Sequence, residues 1–564
     1  MMSYIKKSFF VAFFVLLSHI TLCDIVLPRL TVIFIVDQLS FPLLNKMKEK
    51  LHGGLKLLLQ KGVSYENAYY PHAKPATSTG HVALNTGVFA KDHGVVSNKW
   101  FNKKGKKIYF PDSGDDKSAA VFASDGKKTL SYSRSAKRLM VPGISDTFVL
   151  NPQGLEKNYA YAISLKDRAA IGNASKLGKG IWFDTRTGYF TSSKAYFDKL
   201  PDWVNNFNKE KKIYELRSVK WEPAYGLGSS YYKFKDAFNY TFASAKQIIG
   251  KQVSIYSPQD KRHYNNLKLT PYANDLVCDL AEKCVEHIMY GNKKNRLVLW
   301  VSLSSLDKLG HIFGPCSAEV LDVVYHIDRR IKKFIKNVQK KIKKSDILFA
   351  VTADHGVSPI PEILQKEGFK SAIRVDEKQL LAKANRLVKD IYGISNLFIG
   401  LMNNQLFVDT TLFDILKKSQ KQKIRKTVKD FLIKHPGIKR VWTSGELKNK
   451  IFEPHDLGLF FKNQLYPGRS GEFIIQVAPY CQITDYKTGT CHSSPYEYDV
   501  HVPLIMYQKG SFEGKTVRDR VSMLRFANSL AEILQVPKSP VSTFNLLPGL
   551  FDKESVENAN LIIN

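Results

Sequence analysis

The sequence predicts a three-layer α/β sandwich built on a central, mostly parallel sheet. Three observations carry this. Short apolar runs alternate with longer helical stretches along most of the chain. The clearest runs are continuous and β-branched, as strands buried on both faces are. Three of them are followed closely by an acidic residue, at the strand ends where open α/β sheets bind ligands.

The elements follow in chain order. Leu30–Val36 is the first buried strand, and Asp37 follows directly. Leu297–Leu303 is a second, leading to Asp307 and His311. Apolar residues Leu321, Val324, Ile327, Ile331, Phe334 and Val338 then recur at helical spacing. Ile347–Val351 is a third strand, ending on Asp354-His355. One Asp after a strand arises by chance. Three, two of them with a His nearby, predict one metal-binding edge. Residues from about 362 to 450 read differently: a helix, short strands around Phe398 and Phe407, a long basic helix from about Leu412 to Ile433, and a strand at Val441. They predict an inserted α+β subdomain, after which the sheet resumes at Phe473–Val477. The stretch from about 100 to 270 is rich in aromatics and Lys and gives no clear pattern.

Residues 1–23 read as a secretory signal. Lys6 and Lys7 precede the apolar Phe9–Leu17, and Thr21 and Cys23 are the small residues before a cut at Asp24. The expectation is a periplasmic or secreted chain of residues 24–564, with no stable membrane span after cleavage. The apolar run is too short for an anchor. Leu22 is too bulky to favour lipidation of Cys23. Five cysteines remain, so at least one is unpaired; Cys481 and Cys491 flank a Gly-containing stretch and are the plausible pair.

The net charge is +33, from 84 basic and 51 acidic residues, a field that attracts anions. Lys is spread along the whole chain, and no helix-turn-helix, zinc-finger or RNP-type signature accompanies it. No specific nucleic-acid partner is expected; small phosphate esters are.

Asp and His suit zinc-like divalent ions. Three of each, Asp37, Asp307, Asp354, His311, His355 and His492, fit two ions, which together clamp a phosphoryl group. A catalytically silent anion-binding protein would lack a ligand or a nucleophile, and neither is missing.

The segment Pro75-Ala-Thr-Ser-Thr-Gly-His81, then Asn98, resembles the alkaline phosphatase superfamily. Within it, the chain is similar to the phosphate-irrepressible alkaline phosphatases, kin to nucleotide pyrophosphatase/phosphodiesterases. The resemblance includes Asp307-Lys-Leu-Gly-His311 with the following Gly314-Pro315, Asp354-His355-Gly356, and His492 with the later Asp499. It implies an alkaline phosphatase-like catalytic domain in which Thr77 is the nucleophile and also a metal ligand. Asp37, Asp354, His355 and Thr77 would hold one zinc ion, and Asp307, His311 and His492 the other. His501 competes with His492 as the late ligand. The element Lys166-Asp-Arg168 resembles the monoesterase branch, and Lys166, Arg168 and Asn98 would bind the phosphate. A monoester carries nearly two negative charges and a diester one, so two fixed cations favour the monoester. The implied function is phosphate monoester hydrolysis through a covalent phosphothreonine. The alternative is a phosphodiesterase or nucleotide pyrophosphatase on the same dizinc site. Lys99 departs from the family pattern, standing where relatives often carry a second polar residue after the Asn.

Overall fold

The computed structural model describes residues 26–152, 157–234 and 247–551. The expected signal segment and Cys23 lie outside these residues. Nine strands form the central sheet: β1 (Leu30–Val36), β2 (Val63–Tyr69), β3 (Lys157–Ser164), β4 (Lys179–Asp184), β5 (Tyr189–Thr191), β6 (Asn295–Leu303), β7 (Ile347–Thr352), β8 (His501–Tyr507) and β9 (Lys515–Ser522). Their spatial order is β9-β2-β8-β7-β1-β6-β3-β4-β5. The central run β7-β1-β6-β3-β4 is wholly parallel. β8 runs antiparallel to both its neighbours, and β5 to β4.

Every side chain of β1, β6 and β7 is buried, which accounts for their unbroken apolar sequence. The register then decides where the chemistry goes. Val36 pairs with Leu303, Ile35 with Thr352, and Ser302 with Ser164. The four central strands therefore stop level with one another, and the residues just beyond them share one edge. Helices cover both faces. The longest, Ala318–Val338, carries the predicted apolar stripe.

A second core lies around a four-stranded antiparallel sheet of Phe398–Met402, Gln405–Val408, Phe473–Val477 and Ile438–Thr443. Phe473–Val477 belongs here and not to the central sheet, where the sequence reading placed it. The central sheet resumes only at β8. Phe473–Val477 is fully buried, so its apolar run looks like a central strand, and composition does not say which sheet takes it. The single helix expected from Leu412 to Ile433 is two, Thr410–Asp414 and Lys418–Ile433. The main-chain N–H of Lys417 donates to Gln420 Oε1 (3.0 Å), starting the second helix afresh. The small sheet touches the central domain through its tightest turn. Asn403 and Asn404 both have positive φ, of 58° and 56°, the pairing a type I′ hairpin needs. Asn403 donates to Lys99 O (2.7 Å), and Asn404 to Ser493 O (2.6 Å).

The expected Cys481–Cys491 bridge does not form. Cys481 Sγ donates to Ser371 O (3.0 Å), and Cys491 Sγ to Gln482 Oε1 (3.2 Å). Each thiol has its own hydrogen-bond acceptor.

Candidate active site

Asp37 follows β1, Asp307 lies in helix Ser305–Phe313 just beyond β6, Asp354 follows β7, and Lys166 follows β3. All four are buried. The strand leading to Lys166 went unrecognised in the sequence because it lies within the Lys- and aromatic-rich stretch.

Thr77 opens the helix Thr77–Thr86, whose residues are all buried. Ala76 offers no capping side chain, so the positive end of the helix faces the site. Asn98 Oδ1 accepts from the Ser78 N–H (2.9 Å), tying Asn98 to the first turn of this helix. Lys166 Nζ stands 3.4 Å from Thr77 Oγ1, and an Arg168 guanidinium nitrogen 3.5 Å. The hydroxyls of Ser78 and Thr79 are buried without hydrogen-bond partners among the described residues. Thr77 alone of the three meets both cations.

Two clusters of ligand-type atoms form, Asp307 with His311 and His492, and Asp37 with Asp307 and His355. The first joins the residues the resemblance groups together. In the second, Asp307 stands beside Asp37 and His355. Asp354 Oδ2 is 3.4 Å from His355 Nε2. The ligand-type histidines share one arrangement. Nδ1 of His311 donates to Thr490 O (2.7 Å), that of His355 to Gly356 O (2.9 Å), and that of His492 to Pro75 O (2.8 Å). A carbonyl only accepts, so the proton sits on Nδ1, and each Nε2 lone pair faces the cluster. Burial holds His355 and His492 below the usual imidazole range, which keeps them neutral, as metal binding requires.

The carboxylates test whether metal ions fit. Lys166 Nζ contacts Asp37 Oδ2 and Asp307 Oδ2, each at 2.5 Å. That single ammonium does not neutralise three buried acids. Burial, then Asp307 and Asp354, push Asp37 well above the carboxylate range. Burial also opposes ionisation of Asp354 and Asp307, but His355 and His81 outweigh it at the first, and Lys166 and His311 at the second. Asp37 Oδ1, Asp354 Oδ2 and His355 Nε2 are buried without hydrogen-bond partners among the described residues. Orphaned acceptors of this kind in a carboxylate–imidazole cluster fit divalent cations.

Residues outside the expected set hold these groups in place. Gln38 N donates to Asp354 Oδ1 (3.2 Å) and Gln38 Nε2 to Asp307 Oδ1 (3.0 Å). The residue takes a left-handed φ of 76° to do so. A buried amide directly after Asp37 was the available signal. His81 Nδ1 meets Thr77 O (2.8 Å) and lies 3.3 Å from Asp354 Oδ2, while its Nε2 meets Ser302 Oγ (2.9 Å). Gly80 lets the helix approach this closely: a Cβ there would lie 2.4 Å from Asp354 O. Asp167 is engaged by Arg134 Nε (2.9 Å) and by the Tyr109 hydroxyl, so it orients the Lys166–Arg168 element. His501 is far from this role. Its Nε2 is taken by Glu66 O (2.7 Å), and its ring is stacked between Phe41 and Tyr69. A surface cavity of about 630 Å³ is lined by residues such as Lys429, Arg440 and Trp442, none of them in this cluster.

The family described as type I phosphodiesterase / nucleotide pyrophosphatase matches residues 31–501, from β1 to the start of β8. The chain belongs to this family. Two curated relatives are alkaline phosphatases. PhoV of Synechococcus elongatus is 28% identical over 512 residues, covering 87% of each chain. PafA of Elizabethkingia meningoseptica is 27% identical over 522 residues, covering 90% of this chain and 92% of its own. The crystal structure of PafA shares the fold, with a TM-score of 0.79 at 23% identity over 93% of this chain and 99% of PafA. A solved PafA variant carries substitutions at one Thr, one Asn, one Lys and one Arg, the first two 21 positions apart and the last two 2 apart.

Proposed function

We propose that this protein is an exported phosphate monoester hydrolase, an alkaline phosphatase, in which Thr77 forms a covalent phosphothreonine. One observation carries the reading: the Thr77 hydroxyl stands at a helix N-terminus with Lys166 and Arg168 at 3.4 and 3.5 Å, beside the Asp/His cluster. Thr77 and Asn98, and Lys166 and Arg168, repeat the spacings of the altered positions in the PafA variant. Two zinc ions would complete the site: Asp37, Thr77, Asp354 and His355 would hold one, and Asp307, His311 and His492 the other. When bound, they lower the pKa of the attacking hydroxyl and neutralise the leaving oxygen.

The protein's own groups do the rest. Lys166, Arg168, Asn98 and the first-turn amides hold the nonbridging oxygens. Thr77 Oγ1 bonds to phosphorus as the ester P–O bond breaks, and the leaving group departs as its alcohol. Water then attacks phosphorus, the Thr77 Oγ1–P bond breaks, and phosphate is released. The inserted α+β unit, expected at about 362–450, carries the Asn403–Asn404 turn that braces the main chain at Lys99 and Ser493, next to Asn98 and His492. No helix among the described residues is long and apolar enough to cross a membrane, and we assign residues 1–23 as the signal that exports the enzyme to the periplasm or beyond.

The test compares p-nitrophenyl phosphate with bis-p-nitrophenyl phosphate on the zinc-loaded protein. The monoester is expected to give the higher kcat/KM. A higher value for the diester would move the assignment to a phosphodiesterase on the same residues.

A further inference from the structure

A second group of cations lies on elements beside the proposed phosphate cradle. Lys99 directly follows Asn98, pairs with Tyr109 across a two-stranded ribbon, and holds its Nζ 5.9 Å over the Tyr109 ring. Tyr109 in turn donates to Asp167, the neighbour of Arg168. Lys308 follows Asp307 on the helix Ser305–Phe313. Lys268 lies on the short helix Asn265–Leu269, which docks on that helix where Ser305 Oγ donates to Thr270 O (2.9 Å). Arg262 is exposed, in the loop that leads into it. Among the described residues, Lys99, Arg262, Lys268 and Lys308 have no carboxylate within 4.0 Å. The acids that act on them are committed elsewhere: Asp167 to Arg134 and Tyr109, Asp307 to Lys166, and Asp260 to the Arg262 main-chain N–H at 2.8 Å.

Lys99 and Lys268 feel the same neighbours. Lys99 is lowered first by burial, then by Lys107, Arg168 and Arg262. Lys268 is pushed down to about 7 by burial, then by Arg168, Lys166 and Arg262. Crowded cations without counter-ions are unfavourable in the free protein. An anion bound between them relieves that repulsion. One phosphoryl group already occupies Lys166 and Arg168 in the proposed reaction, so this rim faces the other part of the ester.

We propose that the rim of Lys99, Arg262, Lys268 and Lys308 binds a second anionic group on the leaving group, so that the preferred substrates are phosphomonoesters carrying a further phosphate. This rests on the monoesterase reading. Arg262 and Lys268 are the residues that contribute most to the choice, because Arg262 is exposed, Lys268 is half-buried, and neither adjoins a ligand-type residue in sequence.

The experiment compares 1,3-propanediol bisphosphate with 1,3-propanediol monophosphate on the zinc-loaded enzyme. At low ionic strength the bisphosphate should have kcat/KM roughly tenfold or more above the monophosphate, well beyond the statistical factor of about two for two scissile groups. That advantage should shrink as salt rises, since the rim is partly exposed. In the double variant Arg262→Ala/Lys268→Ala the ratio should fall towards the statistical value. A wild-type ratio near two, with both esters turned over, overturns the proposal and leaves the monoesterase reading standing. A high ratio that survives the double variant also overturns it. Turnover of neither ester overturns both. Calorimetric binding of the two compounds to the zinc-loaded Thr77→Ala protein reads the rim without turnover, and equal affinities there overturn the proposal.

Discussion

The Thr77 hydroxyl is buried, heads a helix and meets two cations. Thr77→Ala should abolish turnover while leaving the thermal midpoint within a few degrees, because only a hydroxyl and a methyl are lost; persistent turnover would place the nucleophile elsewhere. Lys166→Ala and Arg168→Ala each remove a charge-assisted contact, of about 1.5–3 kcal/mol. That corresponds to a roughly ten- to hundred-fold loss in kcat/KM for monoesters, and a smaller one for diesters. Equal slowing of both ester types would mean the pair does not set the preference. Gly80→Ala adds a Cβ only 2.4 Å from Asp354 O. The helix must retreat, at a cost of about 1–3 kcal/mol, and Thr77 moves with it, so stability and kcat should fall together. A variant with normal kcat would show that the close approach does not position Thr77. The ligand-type residues were legible in the sequence because Asp and His after strands have few other uses. Gln38 and the three carbonyls that orient the histidines were not, since a left-handed glutamine and a backbone oxygen leave no compositional trace.

At the scale of elements, the strand ends do the positioning, and β1, β6 and β7 were readable from their unbroken apolar runs. β3 was not, although it delivers Lys166. Its sequence mixes Lys, Asn and Tyr with Ala, so neither alternation nor an apolar run marks it. Phe473–Val477 was readable as a strand but not as part of the second sheet, because pairing partners far apart in sequence decide that. The helix Gly54–Lys61 provides a check away from the site. Its N-terminus is capped from another helix: the Asp328 carboxylate accepts from the N–H groups of His52 (2.9 Å), Gly53 (2.6 Å), Leu55 (2.8 Å) and Lys56 (3.3 Å). Asp328→Ala strands these donors, at a cost of about 2–4 kcal/mol. A chemical-denaturation midpoint should fall accordingly while kcat/KM holds. An unchanged midpoint would mean that water replaces the carboxylate.

Over the whole molecule, three buried carboxylates from three strands converge, and Lys166 pairs with two of them, Asp37 and Asp307. Ions that bind the folded state but not the unfolded chain add stability by mass action, about 4 kcal/mol at a thousandfold excess over Kd. Chelation should therefore lower the thermal midpoint as well as abolish activity, and zinc should restore both; a midpoint indifferent to chelation would argue against metal ions at this cluster. Elemental analysis should find two zinc ions per chain. The covalent step is the centre of the proposed mechanism, and acid-quenched mass spectrometry tests it most directly. Zinc-loaded enzyme turning over p-nitrophenyl phosphate should yield, on digestion, a peptide carrying one phosphoryl group on Thr77. A phosphoryl group on Ser78 or Thr79, or active enzyme that never carries one together with inversion at a chiral phosphorus, would contradict it.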